Sequence, residues 1–204
     1  MSLVNLTING KAVSVPSGTK ILEAAKQVGV KIPSLCQMKI DEIGFTNECA
    51  SCRVCMVSAG RKLVPACGTM VKEGMVVNTN TPEALKYRKN VVELLLSDHP
   101  QDCYTCTKCG SCGLQQDLAA DMGIRKIRFK GEQSTSPIDT SSYSIVKDND
   151  KCILCRRCET MCTEVQTVGV LSGVNRGFNT VVGTFFNADM MDTECTFCGQ
   201  CVSV

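Results

Sequence analysis

The last third of the chain carries Cys152-Ile-Leu-Cys155-Arg-Arg-Cys158-Glu-Thr-Met-Cys162, and later Cys195-Thr-Phe-Cys198-Gly-Gln-Cys201-Val-Ser-Val, where the sequence ends. The first run has the complete Cys-x2-Cys-x2-Cys-x3-Cys spacing, and the second repeats it with its fourth cysteine due one residue past the end. This pattern constrains the fold more than any other feature. A cubane iron–sulfur cluster needs four converging thiolates, and three cysteines at three-residue intervals wrap a loop around one face of it. The fourth must come from elsewhere, and in tandem motifs each run lends its last cysteine to the other cluster. Cys195, Cys198 and Cys201 are therefore expected to share a 4Fe-4S cluster with Cys162. Cys152, Cys155 and Cys158 hold the other, its fourth ligand missing from this sequence. Thr163 stands where a Pro usually follows the fourth cysteine.

Sixteen cysteines, no Trp and 4% aromatics in 204 residues describe small modules organised around cofactors rather than one large apolar core. That cysteine content approaches a disulfide scaffold's, but the N-terminus has no basic region followed by an apolar stretch and cleavage site. A reducing cytoplasm is expected, where cysteines bind metals or do redox chemistry. The apolar run Val91 to Leu96 is too short to span a membrane. A net charge of +2 on a mixed surface offers no footprint for nucleic acid.

Residues 1–80 read as a small mixed α/β domain. Leu3 to Thr7 and Ala12 to Val15 flank Asn9-Gly10, a strong hairpin signal. Thr19 is placed to cap a helix from Lys20 to Val28 that stops at Gly29. Val54 to Ser58 and Lys62 to Ala66 form a second strand pair around Gly60, and Gly74 opens a turn before Met75 to Val77. A hairpin, a helix, a cysteine-bearing loop and further strands suggest a β-grasp ferredoxin. Its five cysteines are Cys36, Cys49, Cys52, Cys55 and Cys67, one more than a 2Fe-2S cluster requires; spacing alone permits either Cys49 with Cys52 or Cys52 with Cys55 as the central pair.

Ser51-Cys52-Arg53-Val54-Cys55-Met56-Val57 and Leu63-Val64-Pro65-Ala66-Cys67 resemble the 2Fe-2S domain shared by the large peripheral subunit of complex I, certain formate dehydrogenases and FeFe hydrogenases. That resemblance implies Cys36, Cys52, Cys55 and Cys67 as ligands and leaves Cys49 spare.

Residues 81–140 open with a helix from Pro82 through Leu96, with Leu85, Val91, Val92, Leu94, Leu95 and Leu96 as its packing face. The stretch from His99, the only histidine, through Cys103, Cys106, Cys109 and Cys112 resembles the same family's His-x3-Cys-x2-Cys-x5-Cys site. The resemblance implies a 4Fe-4S cluster on His99, Cys103, Cys106 and Cys112, with Cys109 surplus or standing in for Cys112. A neutral imidazole in place of a thiolate raises the potential of such a site. Arg156 and Arg157 add positive charge between Cys155 and Cys158, or serve as solvated or docking residues. Gly131 to Ser144 is polar and aperiodic and reads as a linker. Residues 141–204 then form a two-cluster ferredoxin-type domain, truncated at its C-terminus.

The expected fold is thus α+β in three modules. Their order resembles the N-terminal iron–sulfur region of the catalytic subunit of multimeric, NAD(P)-linked FeFe hydrogenases, including electron-bifurcating ones. Cys152-Ile-Leu-Cys155-Arg-Arg-Cys158, Asn175-Arg-Gly-Phe-Asn-Thr-Val-Val and Cys195-Thr-Phe-Cys198-Gly-Gln-Cys201 carry that likeness. It implies one 2Fe-2S and three 4Fe-4S clusters, and a hetero-oligomer with a flavin- and NAD(P)-binding diaphorase subunit, a small 2Fe-2S subunit and soluble ferredoxin. It implies no catalytic residue here, the hydrogen-activating site lying outside the chain. No Gly-rich dinucleotide fingerprint is present. The rival readings are the equivalent module of a formate dehydrogenase or complex I-like enzyme, and a zinc-stabilised scaffold built on Cys-x2-Cys pairs.

Overall fold

The computed structural model describes residues 2–48 and 50–204. In chain order the strands are β1 (Leu3–Ile8), β2 (Lys11–Pro16), β3 (Lys39–Ile40), β4 (Phe45–Thr46), β5 (Met56–Ala59), β6 (Lys62–Pro65), β7 (Met75–Asn78), β8 (Ser172–Val174) and β9 (Val181–Gly183). The α-helices are α1 (Ile21–Gln27), α2 (Pro82–Ser97), α3 (Arg157–Thr160) and α4 (Gln200–Ser203). Contacts divide the chain into two compact units: Met1–Leu35 with Cys52–Leu94 and Gly110–Arg128, and Cys36–Ser51 with Leu95–Cys109 and Phe129–Val204.

The first unit is built on a five-stranded sheet in the order β2-β1-β7-β5-β6. Strand β1 runs parallel to β7, and the other pairs are antiparallel. Asn9 and Gly10 both adopt positive φ, 50° and 80°, as a two-residue hairpin turn that matches the twist of its strands demands. Alternation puts Leu6, Ile8, Val15, Val57 and Val77 inside, and Ile21, Leu22, Ala24 and Ala25 of α1 are buried with them. One helix on a mixed sheet is the expected β-grasp arrangement.

Two details differ from the sequence reading. Thr19 does not cap α1: its hydroxyl donates to the Pro16 carbonyl, and the N-terminal residue Lys20 makes no side-chain cap. The first turn is instead held from outside, with Ile21 N–H donating to the Thr69 carbonyl and Leu22 N–H to that of Ala66. In α2 the buried residues are Ala84, Arg88, Val92, Glu93 and Leu96, whereas Leu85 and Leu94 are exposed. The helix turns its 84–88–92–96 stripe inward, a strict four-residue spacing that places an arginine on the buried face.

In the second unit Ile145, Leu171, Val182 and Met190 form a small core. Cys152, Cys158, Cys162, Cys195, Phe197 and Cys201 are packed against it, so the thiols are themselves part of the core. The polar stretch expected as a linker is tied down: Ser134 bonds the Asp98 carboxylate, Ser136 N–H bonds Asp150, and Asp139 and Lys147 exchange backbone hydrogen bonds. Aperiodic polar sequence conceals such order because side-chain-to-backbone bonds leave no hydrophobic signature.

Candidate metal centres

The two terminal cysteine runs fold alike. In Cys152-Ile-Leu-Cys155-Arg, Leu154 and Arg156 are left-handed at φ 53° and 61°; in Cys195-Thr-Phe-Cys198-Gly, Phe197 and Gly199 take 52° and 73°. The first cysteine of each loop accepts from the amide two residues on, Leu154 N–H to Cys152 Sγ and Phe197 N–H to Cys195 Sγ, both at 3.4 Å. Each loop then enters a short helix through its left-handed residue, Arg156 into α3 and Gly199 into α4. A left-handed non-glycine residue costs about 1–2 kcal/mol, and the return here is an amide turned toward sulfur in each loop. Arg156 also pairs bidentately with Glu159, Nη2 to Oε1 at 2.5 Å, across the first turn of α3.

Cys162 follows in a π-helical turn, Met161–Val165, that continues α3. It lines one recess together with Cys195, Cys198 and Cys201, walled by Ile145, Leu171 and Met190. Burial pushes the Cys201 thiol up, and Cys195, Cys198 and Cys162 add to the effect. Burial likewise pushes Cys158 up to about 12, with Cys152 and Cys155 adding to the effect. Deprotonated thiols in so apolar a setting require cationic compensation, which iron ions supply. Thiols around a recess, with inward amides for sulfide and thiolate sulfurs, fit a cubane cluster. Among the described residues, no three His, Cys, Asp or Glu side chains close on the position of a single ion. Lys147 lies close to the other triplet; burial lowers its pKa, while Asp139, Cys152 and Cys158 oppose the shift.

In the first unit Cys52, Cys55 and Cys67 are buried. The β5–β6 ladder explains why two of them meet: Met56 faces Pro65, and Ala66 N–H donates to the Cys55 carbonyl, so Cys55 and Cys67 flank the ladder's end. Their sulfurs are 3.3 Å apart, near the roughly 3.8 Å that two thiolates adopt on one tetrahedral metal with 2.3 Å metal–sulfur bonds. Cys36 is buried in the second unit, on a loop held by Asn47, whose side chain bonds the Met38 amide and the Cys36 carbonyl. Asn47 carries no recognisable signal in the sequence. Cys49 lies outside the described residues.

His99 directs Nδ1 at the Pro100 carbonyl, 2.8 Å away. With Nδ1 protonated that bond fixes the ring and leaves Nε2 as the nitrogen able to bind a metal, as is usual where a histidine does so. Cys103 and Cys106 are half-buried and Cys109 is exposed. Lys108 N–H donates to Cys106 Sγ at 3.5 Å. Cys112 is half-buried in the first unit, where its sulfur accepts from Gln115 N–H and opens the π-helical turn Gly113–Ala119.

Within the second unit, two segments meet the chain at or just ahead of the Cys152–Cys158 loop. Ser51, beside Cys52, donates its hydroxyl to the Cys155 carbonyl at 3.2 Å. Lys151, beside Cys152, pairs with Asp102, beside Cys103, at 3.4 Å.

Residues 2–82 match the family model described as "2Fe-2S iron-sulfur cluster binding domain", and residues 88–128 match "NADH-ubiquinone oxidoreductase-G iron-sulfur binding region". The chain is 51% identical to the NADP-reducing hydrogenase subunit HndD of Solidesulfovibrio fructosivorans, over 100% of this chain and 35% of that protein. It is 35% identical to the NADH-ubiquinone oxidoreductase 75 kDa subunit of Reclinomonas americana, over 96% of this chain and 28% of the relative. The chain thus spans about a third of the length of these curated relatives. Among solved structures it is similar to a chain in the crystal structure of an NAD+-reducing [NiFe]-hydrogenase in the H2-reduced state, with a TM-score of 0.84 and 25% identity, covering 94% of this chain and 80% of that one.

Proposed function

We propose a relay role for this chain, which belongs with the iron–sulfur electron-transfer modules of NAD(P)-linked oxidoreductases. In this reading it serves an FeFe hydrogenase, passing electrons between a flavin-bearing diaphorase subunit and a hydrogen-activating site outside residues 1–204. The proposed ligands are Cys36, Cys52, Cys55 and Cys67 for the 2Fe-2S cluster, and His99, Cys103, Cys106 and Cys112 for the histidine-ligated 4Fe-4S cluster. Cys162, Cys195, Cys198 and Cys201 hold another 4Fe-4S cluster. Cys152, Cys155 and Cys158 hold the last and need a fourth ligand from outside these residues.

The observation that carries the relay reading is the convergence of segments on the Cys152–Cys158 loop. Ser51 and Asp102 each directly precede a proposed ligand of a different site; Ser51 touches this loop, and Asp102 pairs with Lys151 just ahead of it. Bound clusters supply one-electron oxidation and reduction. The chain's own residues shield the thiolates in an apolar core, aim amide donors at sulfur and hold the loops in contact. The small core packs against Cys158 and Cys201 and leaves them half-buried.

The likeness to most of a chain in a nickel–iron hydrogenase favours a second reading, in which the same relay serves a different hydrogen-activating centre. The proposed partners are a flavin- and NAD(P)-binding subunit, a small 2Fe-2S subunit and soluble ferredoxin, in a cytoplasmic hetero-oligomer.

The test is anaerobic mixing of the reconstituted chain with the diaphorase subunits and NADH or NADPH, followed by freeze-quench EPR. Reduced 2Fe-2S and 4Fe-4S signals that require the diaphorase support the relay. Clusters reducible by dithionite but not through the diaphorase overturn the proposed pairing. Hydrogen uptake by the longer protein, with metal analysis, separates iron-only from nickel–iron chemistry.

A further inference from the structure

Arg88 is 5% exposed, in the middle of the buried stripe of α2. Its Nε donates to the Met56 carbonyl at 2.7 Å, which fixes the guanidinium against the residue next to Cys55. The Nη2 atom is fully buried and has no hydrogen-bond partner among the described residues. A buried, unpaired guanidinium N–H is costly and persists where an acceptor completes it. Cys55 is 0% exposed, with Cys67 Sγ 3.3 Å from its sulfur. Burial disfavours the charged form of Arg88, and the Cys55 thiolate offsets this.

We infer that Arg88 is the positioned counter-charge of the 2Fe-2S site, its free N–H directed at the sulfur side of the Cys55 and Cys67 corner, and that it raises that site's reduction potential. The inference rests on the assignment of Cys55 and Cys67 as ligands. Reduction adds one negative charge to a site that already carries four thiolates. A cation fixed in a low-dielectric interior stabilises the reduced form more than the oxidised one. Arginine suits this place because it stays charged when buried and its planar fork serves two acceptors at once: Nε takes the Met56 carbonyl and Nη2 is left for a sulfur of the bound cluster.

The experiment uses the full chain, reconstituted anaerobically, in three forms: wild type, Arg88→Met and Arg88→Lys. Redox titration of the 2Fe-2S EPR signal is expected to show at least a tenfold loss in the reduction equilibrium constant for Arg88→Met, about 59 mV for one electron. Arg88→Lys recovers part of the shift because it restores charge without the fork. Equal potentials in all three forms overturn the inference, and so does an equal shift in both variants, which marks a packing role.

Should the neutral variant fail to fold, a second measurement needs only the wild type and Arg88→Lys. Hyperfine spectroscopy of the reduced protein, grown with arginine labelled with 15N in the guanidino group, is expected to show a weak nitrogen coupling that Arg88→Lys abolishes. Its absence in the wild type overturns the inference. An unchanged 2Fe-2S signal in Cys55→Ser strikes the ligand assignment itself, and with it the premise.

Discussion

Met190 offers a quantitative test of the cysteine-built core. Its side chain is 1% exposed, and it forms a wall of the recess that Cys162, Cys195, Cys198 and Cys201 line. Met190→Ala removes a buried apolar side chain from this wall, so the cost falls in the range of about 2–5 kcal/mol known for such truncations. The backbone bond from Met190 N–H to Asp139 Oδ2 survives the change, so the effect isolates packing. If clusters are lost through local opening of this unit, even the lower bound speeds loss by about 30-fold, at 1.4 kcal/mol per factor of ten. The assay is a chelator challenge under anaerobic conditions, following each cluster's EPR signal against time. Loss of the terminal 4Fe-4S signals should accelerate at least that much and exceed any acceleration of the 2Fe-2S signal, because Met190 packs in the second unit and three of the four proposed 2Fe-2S ligands, Cys52, Cys55 and Cys67, lie in the first. Acceleration below about threefold, or equal acceleration of all signals, refutes the packing argument.

Three further outcomes follow from the site assignments. His99→Cys should keep a cluster while lowering its potential, as an anionic thiolate replaces a neutral imidazole; redox titration of that signal reads it, and an unchanged potential counts against histidine ligation. Cys49→Ser should leave the 2Fe-2S EPR signal intact, and loss of the signal would mean that Cys49 pairs with Cys52. Cys162→Ala should abolish or convert the cluster on Cys195, Cys198 and Cys201, although Cys162 lies only four residues from Cys158; selective loss of the Cys152 cluster in its place would break the exchange of last cysteines between the two runs.

Much of the β-grasp unit is legible in the sequence because its signals are local. Asn9-Gly10 fixes a turn, alternation marks the strands, and Gly29, at φ 72°, ends α1. The cysteine runs are legible for the same reason: regular spacing over a few residues dictates a loop. Long-range compensation is not. Arg88 and Glu93 lie on the buried side of α2, and the latter is held by Arg128, 2.6 Å away and thirty-five residues on. A periodicity reading prefers Leu85 and Leu94, which the structure leaves in solvent. Asn47 is silent because a buried amide that bridges two backbone groups looks, in sequence, like any loop asparagine. The 131–144 stretch reads as a linker for a related reason, since Asp139 orders it through Ser141 and the Met190 amide rather than through apolar contacts.

The most direct test of the relay account is an iron and acid-labile sulfide count, with EPR, on anaerobically reconstituted and reduced protein. One 2Fe-2S and three 4Fe-4S sites, one of them short of a ligand, predict about twelve to fourteen irons with matching sulfide and both kinds of signal. Zinc bound without sulfide would contradict the account and leave a structural scaffold in its place.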